Sequence, residues 1–172
     1  IIGDEKLYVE DKIRSLNPSN CEEVVGISQN ASLEMAEKAV KTAERAFADW
    51  GSRSAEERVA CMVKVRDIMQ DRRLELAAWM VLEVGKSWVE ADADVAEAID
   101  FCDYYARLAL KLAKPAPLTP FPGEENECVY LPLGVGLVIP PWNFPLAILA
   151  GMTFASMVSG NTVVLKPSSD AP

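Results

Sequence analysis

PLGVGLVIPPWNFPLAILAGMTFASMVSGNTVVLKPSSDAP spans residues 132–172, and its order of apolar runs and breakers specifies one architecture. Val135 to Ile139 is a near-continuous apolar run, as in a strand buried on both faces. Pro145 suits the first turn of a helix, which the spacing predicts over Leu146 to Val158. Gly160-Asn161 is its exit, and Thr162 to Leu165 the next strand. Strand, loop, helix, turn, strand is a βαβ unit, which implies a right-handed crossover and a parallel sheet.

Ligands of an open parallel sheet sit beyond the carboxyl ends of its strands. Two such ends occur here. One runs into Pro140-Pro141-Trp142-Asn143-Phe144-Pro145, the other into Lys166-Pro167-Ser168-Ser169. The prolines fix the loop that carries Asn143, so ordering it on binding costs little entropy. An amide N–H can stabilise a developing oxyanion without transferring a proton. An ammonium such as that of Lys166 can donate to ribose hydroxyls or phosphate oxygens. By spacing alone, Asn143 reads equally well as a helix cap and Lys166 as a surface lysine. Phosphate-loop alternatives fail. Gly134-x-Gly136 lacks a third glycine and precedes its strand, and no G-x-x-x-x-G-K-[ST] occurs.

Outward from this segment, Pro115, Pro117, Pro120, Pro122 and Gly123 form a natural joint, with one more strand expected from Cys128 to Leu131. Upstream lie three helical stretches. Leu33, Ala36, Val40, Ala43, Phe47 and Trp50 step by three and four, and Gly51 is the expected stop. Ser54-Ala55-Glu56-Glu57 is a capping box that opens a helix expected to run unbroken to Gly85. A third helix is expected from Ser87 to Leu112. Its Glu90, Asp92, Asp94, Glu97, Asp100 and Asp103 read as a solvated acidic face rather than paired catalytic carboxylates. Residues 1–30 look like short strands and turns, with Asn17-Pro18 as a turn.

Composition narrows the functional classes. The 172 residues are enough for one domain, or two small ones, with a real core. With 17 basic and 26 acidic residues, the net charge is −9. That argues against nucleic acid and against an anionic membrane surface as partners. No charge occurs from Cys128 to Leu165, yet Pro140, Pro141 and Pro145 divide the stretch. Neither piece reaches the ~20 apolar residues of a membrane span. The absence of histidine excludes Ser-His-Asp and Cys-His machinery and His-based metal sites within the chain, and no metal is expected. Cys21, Cys61, Cys102 and Cys128 make no C-x-x-C pair; Cys61 and Cys102 fall in helix-like apolar patterns and read as reduced core thiols. With no signal peptide evident, the expected location is a reducing compartment, the cytoplasm, and an organelle reached through a removed presequence stays open.

The P-W-N-F-P and G-N-T-V-V-L-K-P-S elements, at this separation, closely resemble the aldehyde dehydrogenase superfamily. Within it, IPPWNFPLAI, the KPSSD ending and the upstream PFPGEENECVYLPLG look like the 1-pyrroline-5-carboxylate (glutamate semialdehyde) dehydrogenase branch. The segment LEVGKSWVEADADVAEAIDFCDYYA is similar to that family's third long helix. The resemblance implies an α/β fold: the amino-terminal part of an aldehyde dehydrogenase-like fold, with long helices followed by the start of a Rossmann-like parallel sheet. Residues 1–30 would be strands of an oligomerisation region, 31–114 the helical part of the cofactor-binding domain, and 115–172 the joint and first βαβ unit of the NAD(P)-binding domain.

The resemblance further implies that Asn143 helps hold a thiohemiacetal oxyanion. Ile139, Pro140, Pro141 and Trp142 would lie against the dinucleotide, and Lys166 would bond the adenosine ribose. Ser168 and Ser169 follow in the same loop, and Phe144 would lie near the aldehyde tunnel. Many NAD-specific members carry a glutamate where Ser169 stands. A serine does not repel a 2′-phosphate, so NAD is the expected cofactor with NADP possible. The implied chemistry is thiolate attack on an aldehyde, hydride transfer to nicotinamide and thioester hydrolysis. The family's catalytic cysteine and general-base glutamate would fall beyond Pro172, and none of the four cysteines fits the nucleophile's motif. The chain is therefore expected to be an amino-terminal fragment, inactive alone, of an enzyme that is a homo-oligomer acting on a small aldehyde. A noncatalytic truncated module for assembly or nucleotide binding, or a fragment of another semialdehyde dehydrogenase, is the alternative.

Overall fold

A computed structural model describes all 172 residues. The chain opens with an antiparallel hairpin of β1 (Lys12–Asn17) and β2 (Asn20–Gln29), joined through Pro18 and Ser19. The Asn17 Oδ1 accepts from the Ser19 backbone N–H at 2.9 Å, which closes the turn locally.

Helix α1 (Leu33–Ser52) starts at Ser32, whose hydroxyl accepts from Met35 N. It runs through the expected stop at Gly51 by one residue, to end against Arg53. Next comes α2 (Ala55–Asp71), opened by the expected box: Ser54 and Glu57 each accept a backbone N–H of the other. The single helix expected up to Gly85 is instead two, with α3 (Arg73–Val84) following a break at Arg72. Neither glycine nor proline marks this break. Its cause is packing, because α2 and α3 serve two separate clusters along the next helix.

That helix is α4 (Trp88–Leu112), opened by a second capping box of Ser87 and Glu90. Met62 and Met69 of α2 join Ala98 and Cys102 in one cluster, while Ala77 and Met80 of α3 join Ala91 and Val95 in the other. Between α3 and α4, Gly85 holds a left-handed φ of 68°. A Cβ there would also come within 2.9 Å of Pro18 Cγ, so the hairpin turn rests on this glycine. The hairpin is further tied down by Ser15 Oγ donating to Glu83 Oε1 at 2.8 Å.

Residues 113–134 form neither helix nor paired strand. The strand expected over Cys128–Leu131 is absent, with Tyr130 68% and Leu131 78% exposed. A strand requires a neighbour to pair with, and no other strand of the chain runs beside these residues.

The βαβ unit follows as β3 (Val135–Val138), α5 (Ala147–Val158) and β4 (Thr162–Leu165). The strands are parallel, pairing Val135 with Thr162 through Val138 with Leu165. Ala150, Phe154 and Val158 carry α5 into the larger cluster. It approaches α4 so closely that a Cβ on Gly151 would lie 2.9 Å from Phe101 Cδ2. On the sheet, Gly136 faces Ser156 of α5, whereas Leu137 faces a cleft beside α1. Thr162 Oγ1 pins β4 to α1 by donating to Ala43 O at 2.8 Å. Asn161 staples the unit's entrance to its exit: its Oδ1 accepts from Leu133 N at 2.6 Å and Gly134 N at 3.0 Å, and its Nδ2 donates to Ser156 O at 3.2 Å. No helix is long and apolar enough to cross a membrane.

Candidate functional site

Parallel pairing fixes the site's location. Because Val138 pairs with Leu165, both strands end at the same edge, and Lys166 N donates to Val138 O at 2.9 Å. The Ile139–Pro145 loop and the Lys166–Ser169 loop therefore leave the sheet side by side.

In the first loop Pro140 is buried, while Ile139, Pro141, Trp142, Asn143 and Phe144 are exposed. The Asn143 side chain makes no hydrogen bond within the chain, so its amide is free to donate outward. It does not cap the helix. Leu146 stands at the N-cap of α5 and offers no capping atom. The cap comes from a distant residue, Asp94 of α4, whose Oδ1 accepts from Ala147 N at 2.6 Å. The other carboxylate oxygen, Oδ2, pairs with Lys86 Nζ. That ammonium also lies 4.6 Å from the centroid of the Phe144 ring, within cation–π range.

Asp94 is thus not part of a solvated acidic face, being only 2% exposed. The reason is its phase on the helix. It stands three residues after Ala91 and four before Ala98, both fully buried, so it shares the stripe that faces α5. The other five acids remain at least partly exposed. Asp92 forms a fork with Arg73, whose guanidinium hydrogen bonds hold its carboxyl below the usual aspartate range. Asp103 pairs with Arg66 at 2.6 Å. Asp94 and Lys86 are the residues that sequence reasoning missed. Two signals pointed to Asp94: its place in the apolar stripe, and the lack of a capping side chain at Leu146 before α5.

In the second loop Lys166 is exposed and enters no ion pair within 4.0 Å. Ser168 is half-buried, its Oγ accepting from Asp170 N at 3.2 Å, and Ser169 is exposed. Lys166, Pro167, Ser168 and Ser169 rim a cleft of about 1040 Å³ between α1 and the sheet, with Ala39, Ala43, Leu137 and Val163 on its walls. Hydroxyl and ammonium donors above an apolar wall fit the ribose and base of a nucleotide. Ile139 to Phe144 do not line this cleft. The fold thus brings the predicted residues to one edge in two groups. Lys166, Ser168 and Ser169 share the cleft, and Asn143 and Phe144 stand beside the buried Lys86–Asp94 pair.

All four thiols are free. Cys102 is buried, with Sγ donating to Ala98 O, and desolvation pushes its pKa up to about 12. Cys61 is half-buried, and Cys21 and Cys128 are exposed. No group of three or more Cys, Asp or Glu side chains is arranged to hold a metal ion.

The family model described as "Aldehyde dehydrogenase family" matches residues 7–172. Among curated relatives, the 1-pyrroline-5-carboxylate dehydrogenase of Geobacillus kaustophilus (strain HTA426) is 53% identical over 172 residues, covering 100% of this chain and 33% of the relative. The enzyme of the same name from Bacillus cytotoxicus is 52% identical with the same coverage. The chain thus spans one third of the length of these relatives. Among solved structures, 1-pyrroline-5-carboxylate dehydrogenase from Thermus with bound NAD superposes with a TM-score of 0.95 at 48% identity, over 99% of this chain and 33% of that one. Proline utilization A from Bdellovibrio bacteriovorus gives 0.97 at 46% identity, over 99% and 18%.

Proposed function

The chain belongs to the aldehyde dehydrogenase family, and from that premise we propose that its residues form the oxyanion donor and part of the dinucleotide site of an NAD(P)-dependent aldehyde dehydrogenase. The proposed reaction oxidises glutamate semialdehyde, in equilibrium with 1-pyrroline-5-carboxylate, to glutamate in proline catabolism. Identity of 53% and 52% to relatives that carry this activity in their names supports the substrate.

One observation carries the reading: the paired ends of β3 and β4 lead into two loops on one edge, the first with an unbonded amide, Asn143, and the second with an unpaired ammonium, Lys166. NAD(P), when bound, supplies the hydride acceptor. Lys166 donates to the adenosine ribose, with Ser168 and Ser169 as further hydroxyls on the same rim. No carboxylate occurs in residues 166–169, so this loop does not repel a 2′-phosphate, and the one carboxylate side chain lining the cleft, Asp49, is paired with Arg53; NADP therefore fits beside NAD. Ile139, Pro141 and Trp142, exposed outside that cleft with buried Pro140 behind them, give the part of the cofactor that extends past the cleft a stiff apolar surface. The Asn143 amide donates to the aldehyde oxygen as it gains negative charge. That interaction strengthens toward the transition state and therefore accelerates the chemical step. Phe144 lines the approach of the aldehyde.

None of this chain's thiols is assigned as nucleophile. A nucleophilic thiol needs a lowered pKa, and Cys102 has the reverse, while Cys21 in β2, Cys61 in α2 and Cys128 in the joint lie outside both loops. The nucleophile and the general base are thus assigned outside these 172 residues, and residues 1–30, which contain the β1–β2 hairpin, are assigned to an oligomerisation region on the family resemblance alone. The test is NAD reduction by the dehydrogenase that carries these residues, with glutamate semialdehyde and propanal compared. A kcat/KM higher for glutamate semialdehyde is expected; equal or inverted values overturn the substrate.

A further inference from the structure

We propose that Asp94 and Lys86 are positioning residues that hold the Asn143 amide in place, an inference that rests on the oxyanion role given to Asn143 above. Residues 139–145 make no backbone hydrogen bond. Pro140, Pro141 and Pro145 limit how the loop bends, but a proline ring has no N–H with which to anchor it. Anchoring comes from one buried ion pair that reaches the loop on its carboxyl side at two points. Asp94 Oδ1 holds Ala147 N, the first residue of α5. Lys86 Nζ, paired to Oδ2 of the same carboxylate, lies against the face of Phe144, the residue directly after Asn143.

Both partners are fixed from behind. The Asp94 side chain is 1% and the Lys86 side chain 13% exposed. Lys86 follows the left-handed Gly85 and precedes the Ser87 cap of α4, so its backbone is held between two helix ends. The α3–α4 turn therefore sets the position of Phe144 and of the α5 start, and with them the carbon to which the Asn143 amide is attached. A buried ion pair is weak evidence for stability, since desolvation offsets much of its attraction. Its tie to both Phe144 and Ala147 gives it a geometric role. Catalytic hydrogen bonds are sensitive to displacement: a shift of about 1 Å can lower a rate by about a hundredfold.

A double-mutant cycle in the dehydrogenase tests this, with Asp94→Ala, Asn143→Ala and their combination read as kcat and as KM for NAD. Asp94→Ala is expected to lower kcat by about tenfold or more while KM for NAD stays within about twofold. Asp94→Asn keeps an oxygen that can accept from Ala147 N, and is expected to recover most of that loss. On the Asn143→Ala background, Asp94→Ala is expected to lower kcat by less than about twofold, because the group it positions is gone. Additive losses in the combined variant, or no recovery by Asp94→Asn, overturn the positioning role and leave the oxyanion role intact. An Asn143→Ala enzyme with wild-type kcat overturns the oxyanion role and this inference together. If Asp94→Ala does not fold, Lys86→Gln takes its place in the cycle with the same expected non-additivity.

Discussion

The backbone N–H of Lys166 donates to the carbonyl of Val138 at 2.9 Å, and this bond sets the ends of β3 and β4 abreast. The loops that follow leave one edge in parallel, one carrying an amide and the other an ammonium. Their separate surroundings imply separate effects on kinetics.

Asn143→Ala should lower kcat far more than it alters cofactor affinity. Loss of one oxyanion donor removes about 3 kcal/mol of transition-state stabilisation, a factor of roughly a hundred to a thousand. Lys166→Ala should do the reverse, raising KM for NAD with kcat less affected, since it removes a contact present in the ground state. Steady-state kinetics with both substrates varied decides this. A kcat within about twofold of wild type for Asn143→Ala would place the donor elsewhere.

Asn161→Ala should destabilise the folded protein by about 1 kcal/mol. The Asn161 Oδ1 is the acceptor for both Leu133 N and Gly134 N; after its removal the exposed Leu133 N–H turns to water, while the part-buried Gly134 N–H loses its partner at the entrance to β3. The midpoint of urea unfolding, compared between wild type and variant, measures it; an unchanged midpoint contradicts the staple.

Thiol reactivity should follow burial. Cys21 and Cys128 are exposed and should react first with a thiol reagent at neutral pH, and half-buried Cys61 more slowly. Cys102, with its pKa raised to about 12, should react only after unfolding. Alkylation followed by peptide mass mapping reads the order, and early labelling of Cys102 would show that the α2–α4–α5 cluster opens in the native state.

The two capping boxes should weaken in acid. For Glu57 the backbone and side-chain hydrogen bonds of Ser54, and for Glu90 those of the Ser87 side chain and backbone, hold the carboxyl below the usual glutamate range. A folded-state pKa below the unfolded one stabilises above the unfolded value, about 4.3, and that contribution is lost as pH falls through the lower, folded value. The melting-temperature advantage of wild type over Glu57→Gln/Glu90→Gln should therefore be full at about pH 6 and shrink below about pH 4. An advantage that grows in acid would reverse the assignment.

Local chemistry alone placed α5 and β4, because Pro145 and Gly160-Asn161 bracket an apolar run whose length admits one helix. Ser54 with Glu57 likewise announced the start of α2, since a capping box is closed by residues three apart. The common edge of the Ile139–Pro145 and Lys166–Ser169 loops was readable for the same reason: the carboxyl ends of parallel strands follow from the strand order. Only the tertiary structure split the second helix at Arg72, where α2 and α3 turn to different clusters on α4 and no residue in the break forbids helix. It also removed the strand at Cys128–Leu131, whose apolar residues suit a sheet but meet no neighbouring strand within these residues. Asp94 shows the division most directly. Its helix, and even its place on the buried stripe, are properties of residues 87–112. That its carboxylate accepts from Ala147, 53 positions onward, and pairs with Lys86 beneath Phe144 depends on how α4 and α5 pack, and long-range packing has no signature in local spacing.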